Sequence, residues 1–188
     1  MTQAANQVRW TSADLEILAT DEWKRYEIID GELFVTRAPH FMHQSAVGRI
    51  CAQLLTWSLA TDLGQPLTAP GIIFSDADNV IPDVIWISNQ RLAQLVDEEG
   101  HFTGAPELIV EILSSGSTNE RRDREVKLKL YSIKGVQEYW IVNWRLKQVE
   151  VYRRQNAQLV LITTLLADDE MTSPILPGFS CQIQSFFY

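Results

Sequence analysis

The sequence predicts an α/β domain, a central mixed β-sheet flanked by α-helices, on three observations. Residues 80–87 and 108–113 are apolar on both alternating faces, as central strands are when helices cover both sides of a sheet. Residues 43–62 and 118–134 repeat apolar side chains at helical spacing. Residues 26–29 and 32–35 flank Asp30-Gly31, a pair that supplies the positive φ angles of a type I′ turn, so antiparallel pairing is also expected.

Each element follows from local signals. Residues 11–20 form a short first helix with Thr11 or Ser12 as N-cap and Leu15, Ile17 and Leu18 as its apolar contribution. After the hairpin, a long core helix over 43–62 carries Val47, Ile50, Cys51, Leu54, Leu55 and Leu59 and ends at Gly64. Residues 67–74 are expected as one strand, 75–79 as its turn, and the strand containing Asp83 as its antiparallel partner. A short helix over 88–96 and a loop over 97–104 lead into the strand containing Glu111. Ser117 and Glu120 form a capping box that opens a helix to Lys134, closed by Gly135. Strands follow at 138–142, 148–153 and 158–166, and 174–188 is a tail ending in the aromatic cluster Phe186-Phe187-Tyr188, a candidate homodimer surface.

With 188 residues, about half of them apolar, the chain is expected to form a single domain over 1–188, with 1–10 as a flexible start. The net charge of −8 repels polyanions overall, so contact with nucleic acid would have to be local. The basic series Arg121, Arg122, Arg124, Lys127 and Lys129, with Arg153 and Arg154, is the expected phosphate-contacting surface. Cys51 and Cys181 lack paired spacing, which argues against a zinc site or disulfide framework. With no apolar signal core near the start and no stretch of the ~18 apolar residues a membrane span needs, a cytoplasmic setting away from membranes is expected.

Asp83 and Glu111 are the informative residues. An ionised carboxylate inside such apolar strands is strongly penalised unless a divalent metal, a buried Lys or Arg, or a retained proton compensates it. On the helix over 118–134, steps of ~100° place Val126, Leu128, Leu130, Tyr131 and Ile133 on one apolar arc. Asp123 and Lys127 fall inside this arc, whereas Arg122, Glu125 and Lys129 fall on the solvated side. The helix follows the Glu111 strand directly, so packing back on the sheet would carry Lys127 towards Glu111 and Asp83. By themselves Asp123 and Lys127 are also an ordinary (i, i+4) helix pair worth ~0.2–0.5 kcal/mol. His43 suits helix capping and packing, Trp140 and Trp144 suit core or interface roles, Asp76 and Asp78 suit a turn, and Asp97-Glu98-Glu99 suits a solvated loop.

Several segments in order carry a family resemblance: Tyr26-Glu27-Ile28-Ile29-Asp30-Gly31-Glu32-Leu33, His43, Pro82-Asp83, the run from Pro106 to Ser114, Asp123 with Lys127 and Tyr131, Gly135-Val136-Gln137-Glu138-Tyr139-Trp140, and Leu176-Pro177-Gly178. On these the chain resembles the Uma-type family of predicted bacterial endonucleases, formerly a domain of unknown function, within the PD-(D/E)XK restriction-endonuclease-like superfamily. The resemblance implies that Asp83 and Glu111 bind Mg²⁺ or Mn²⁺, with the Ile112 carbonyl as an extra ligand. It implies hydrolysis of phosphodiester bonds in DNA, with a non-catalytic binding or assembly module as the alternative. In the superfamily pattern a lysine stands two positions after the second acid, where this chain has Leu113; Lys127 from the following helix is its expected replacement. Glu27 or Glu32 could add an acid, and Asp123, Tyr131 and His43 are auxiliary candidates.

Overall fold

The computed structural model describes residues 8–18, 24–114 and 116–188, at 117 and 118 by backbone alone. Its elements run α1 (Ser12–Leu18), β1 (Lys24–Ile29), β2 (Glu32–Arg37), α2 (Phe41–Thr61), β3 (Gly64–Thr68), β4 (Ile72–Ser75), β5 (Asp78–Val80), β6 (Val84–Ser88), α3 (Asn89–Leu95) and β7 (Leu108–Ile112). A continuous helix follows: α4 (Ser117–Arg121), a π-helical stretch (Arg122–Lys127) and α5 (Leu128–Lys134). The chain closes with β8 (Glu138–Asn143), β9 (Gln148–Gln155), β10 (Gln158–Leu166), β11 (Glu170–Ser173), β12 (Leu176–Gln182) and a 3₁₀ turn (Ile183–Phe186).

The main sheet has the order β10-β9-β8-β7-β6-β3 and is antiparallel except for the β7–β8 pair. That parallel pair needs a crossover, which the continuous helix supplies. Side-chain alternation separates two cores. Val84, Trp86, Leu108, Val110, Ile112, Trp140 and Val142 face α2 and the C-terminal elements. Ile85, Ile87, Ile109, Leu113, Tyr139 and Ile141 face α5 and the smaller sheet β2-β1-β5-β4. The predicted mixed sheet between helices is therefore the observed one.

The hairpin forms as expected, with Ile29 opposite Glu32 and positive φ at Asp30 (51°) and Gly31 (72°). Other boundaries move. Helix α1 begins at Ser12, with Asp14 accepting from the Thr11 amide at 2.8 Å; its predicted end at 19–20 lies outside the described residues. Helix α2 begins two residues early because His40 Nδ1 caps the Met42 amide, and it ends on Asp62 in the left-handed region rather than at Gly64. Leu59, expected in its core stripe, is 78% exposed. The expected strand over 67–74 is two strands in different sheets. Ala69, with φ 50°, turns the chain between them, so β3 pairs with β6 while β4 pairs with β5.

The Ser117 side chain of the expected capping box lies outside the described residues, and Glu120 instead accepts from Arg145 Nη2 at 2.6 Å. The expected tail over 174–188 carries β12, paired with β11 just before it, and a 3₁₀ turn. Phe186 and Phe187 are buried against Trp140 and neighbouring apolar side chains, so the cluster is core rather than a homodimer surface; only Tyr188 of the three is exposed. No helix among the described residues is long and apolar enough to cross a membrane.

Candidate metal and nuclease site

The antiparallel register of β6 and β7 pairs Val84 with Val110. One step further along that register, at the end of β6, Asp83 stands across from Glu111. Both fall on the α5 side of the sheet, the face of Ile85 and Ile109. Asp83 thus sits at the mouth of β6 rather than inside the strand, while Glu111 lies within β7. Both are buried, at 4% and 2% exposure, so each needs compensation.

For Asp83 the compensation is specific. Oδ1 accepts from Arg25 Nη1 at 3.0 Å, and Oδ2 accepts from the Ile112 amide at 2.9 Å and lies 3.2 Å from His43 Nε2. Burial by itself pushes this carboxyl up, but the His43 hydrogen bond and charge, with Arg25 and the Ile112 amide, outweigh it and hold Asp83 well below the ordinary carboxylate range. Burial pushes His43 down, but the hydrogen bond and charge of Asp83, with the Gln44 hydrogen bond, together outweigh it and raise its pKa.

Glu111 is compensated differently. Its Oε1 accepts from Lys127 Nζ at 2.8 Å and from Tyr131 Oη at 2.9 Å. Lys127 Nζ also stands 2.8 Å from Glu27 Oε1, and Glu27 accepts further from the Ile81 amide at 2.9 Å. Arg122 Nη1 lies 3.7 Å from Glu27 Oε2, and Arg122 Nε donates to Asp123 Oδ1 at 3.2 Å. Four buried carboxylates, Glu27, Asp83, Glu111 and Asp123, therefore face three permanent cations, Arg25, Arg122 and Lys127, together with His43.

The excess of negative charge falls on Glu111. Burial pushes it up; Lys127 opposes this, and Asp83, Asp123 and Glu27 add to it, giving a pKa raised to about 8. Asp123 is also raised, by burial first. Glu27 moves the other way, because Lys127, Arg122 and the Ile81 amide overcome its burial. Lys127 is held firmly charged: the desolvation that would lower its pKa is outweighed by Glu111, Glu27 and Asp123.

Three of the residues expected from the sequence, Asp83, Glu111 and Lys127, are thus brought together, as are Glu27, His43, Asp123 and Tyr131. Glu32 is not: at the turn end of the hairpin it is exposed and lines a separate cleft with Arg9 and Lys129. The Ile112 amide, rather than its carbonyl, meets Asp83.

Two participants were not anticipated. Arg25 lies two residues before Glu27 on β1, and strand alternation alone puts both on one face once Glu27 is placed. Arg122, expected in solvent, is 8% exposed because the π-helical winding of Arg122–Lys127 breaks the 100° phase used to place it. Ile133, expected on the apolar arc, is 69% exposed.

The expected phosphate-contacting series is largely neutralised. Arg121 pairs with Glu125 at 2.8 Å, Arg124 with Glu150, and Arg153 with Glu138 at 2.9 Å, while Arg154 donates to the Val136 and Ser132 carbonyls. What opens to solvent beside the acids is a cleft of about 530 Å³ lined by Arg25, Glu27, His43, Asp83, Glu111 and Arg122 among others.

Asp83 and Glu111 offer the hard oxygen donors that a divalent cation of the Mg²⁺ type takes. Among the described residues no three His, Cys, Asp or Glu side chains are grouped to hold an ion by themselves. Two carboxylates opening on a cleft are what a cation needs when substrate and water complete its shell. Burial and the neighbouring carboxylates raise Glu111, and a cation in the cleft would oppose that rise.

Residues 12–184 match the model of the Uma2 family, described as "Putative restriction endonuclease". No curated protein matches the chain. Among solved structures, the fold is similar to that of a putative nuclease belonging to DUF820 from Anabaena variabilis, with a TM-score of 0.73, 19% sequence identity, and coverage of 94% of this chain and 97% of that one.

Proposed function

The chain belongs to the Uma2 family, and from that premise we propose that it hydrolyses phosphodiester bonds in DNA with Mg²⁺ or Mn²⁺. The observation that carries the reading is the convergence of Asp83 and Glu111 across one register step, with Lys127 on Glu111 at 2.8 Å. Asp83, Glu111 through Oε2, and the Ile112 carbonyl are the ligands we assign. The chemistry supplied by the bound cation is polarisation of a phosphate oxygen and activation of a water.

The remaining roles belong to the protein. Lys127 supplies an ammonium whose protons orient the attacking water or stabilise charge developing on the phosphate. Glu27 anchors that ammonium, and Tyr131 fixes the Glu111 carboxylate by its hydroxyl. Arg25 and His43 hold Asp83 ionised and compete with the cation for its oxygens.

The test is nicking of supercoiled plasmid in Mg²⁺ by the purified protein and by Asp83→Ala and Glu111→Gln. Loss of nicking in both variants, with folding retained, is the expected result; undiminished nicking by either removes the assignment. A second reading, a nuclease fold that binds DNA without cleaving it, is favoured by the occupation of both Asp83 oxygens. It predicts DNA binding by the wild type with no cleavage in Mg²⁺ or Mn²⁺.

A further inference from the structure

At the open end of the first hairpin, Lys24 of β1 is the direct cross-strand partner of Arg37 of β2. Cross-strand partners hold their Cβ atoms about 4.5–5.5 Å apart, and like charges placed so destabilise a hairpin. Both residues are exposed, so burial does not place them there.

Their position gives the reason. Lys24 and Arg37 both line the cleft that holds Asp83 and Glu111. A second lobe of about 470 Å³ continues from it, lined by His40, Ser114, Asn119 and Trp144, and Arg37 borders both lobes. Arg37 also differs from most basic residues of this acidic chain. Arg9, Arg91, Arg121, Arg124, Lys134, Arg145 and Arg153 each stand on a carboxylate, whereas the Arg37 guanidinium makes no hydrogen bond or ion pair among the described residues.

We propose that Arg37, with Lys24 opposite it, forms an anion subsite that holds a DNA phosphate flanking the one to be cleaved. The subsite rests on the nuclease reading for its substrate. It answers how a chain of net charge −8 draws a polyanion to a cleft lined with carboxylates: a local cationic rim at the junction of the two lobes supplies the attraction. The planar guanidinium can grip a phosphate through two parallel N–H donors, and the Lys24 ammonium adds a point charge. Neither residue touches the reacting atoms; both position the strand.

The experiment compares the full chain with Arg37→Ala, Arg37→Lys and the double variant Lys24→Ala/Arg37→Ala. Anisotropy of a short fluorescein-labelled DNA duplex, with divalent cation withheld, gives affinity at a series of salt concentrations. The double variant is expected to bind at least fivefold more weakly, with a salt slope reduced by about 1 to 2, and Arg37→Lys to retain most of the slope. Cleavage kinetics in Mg²⁺ should show KM raised and kcat little changed, and Arg37→Ala should keep the melting temperature of the wild type.

Equal affinity and equal salt slope in wild type and double variant overturn the subsite, even where the wild type cleaves and the nuclease reading stands. A wild type that binds through Arg37 but never cleaves leaves the subsite in place and removes the nuclease reading. A wild type that binds no DNA overturns the subsite.

Discussion

Lys127 Nζ lies 2.8 Å from Glu27 Oε1, the same distance at which it meets Glu111, so one fully buried ammonium ties the hairpin to the central sheet. Removing it leaves Glu111 without its ammonium and Glu27 with Arg122, 3.7 Å away, as its remaining cation. Lys127→Met should lower unfolding free energy by about 3–5 kcal/mol in urea titration. Lys127→Met/Glu27→Gln should recover part of that stability and none of the nicking. Nicking restored along with stability would mean that Lys127 serves the fold alone.

Arg25 sits on Asp83 Oδ1, an oxygen that the assigned cation needs. Arg25→Ala should therefore tighten Mn²⁺ binding several-fold, read as loss of the free Mn²⁺ signal by electron paramagnetic resonance. Unchanged or weaker Mn²⁺ binding would show that Asp83 is not a ligand in competition with Arg25.

Asp78 provides an acid-sensitive tie away from the site, accepting from the Asp30 amide at 2.9 Å and pairing with Lys134 at 2.8 Å. Burial pushes this carboxyl up, but Lys134, the Asp30 amide and Ser75 outweigh it, so its folded pKa is depressed. A depressed folded pKa contributes stability that is present above the unfolded value of about 3.9 and is lost as pH falls through the folded value. At pH 7 Asp78→Asn should cost about 1 kcal/mol in urea titration, and the gap from wild type should close below pH 4. A gap that persists in acid would assign the effect to something other than ionisation.

Phe186 is fully buried, with its ring 6.4 Å from that of Trp140. Phe186→Ala should destabilise the protein by about 3–5 kcal/mol without altering its oligomeric state by light scattering. A change of assembly with stability intact would return the C-terminal aromatics to an interface.

Much of this site is legible in sequence because two periodicities are strict. Alternation in the strands exposes Asp83 and Glu111 as anomalies, and a 100° step places Lys127 and Asp123 with the apolar arc. Alternation cannot choose between Glu27 and Glu32 across a two-residue turn, since what decides is how far the sheet covers the hairpin. Arg122 is hidden by a π-helical stretch that shifts helical phase without a compositional mark. The break in the expected strand over 67–74 did have a signal: Pro70-Gly71 is a turn pair inside an otherwise strand-like run. Phe186 and Phe187 show their apolarity in sequence but not the α2-side core that receives them.

The ammonium that meets Glu111 arrives on the crossover between β7 and β8, and on the proposed assignment this separates two duties that share a strand in the superfamily pattern that the sequence resembles. Position 113 is released from carrying charge and becomes, as a fully buried leucine, part of the packing that supports β7. The distance from Lys127 to Glu111 is then governed by the winding of a helix rather than by the pleat of a strand. Adding or deleting a residue between Gly116 and Lys127 would retune that distance while leaving the sheet register untouched.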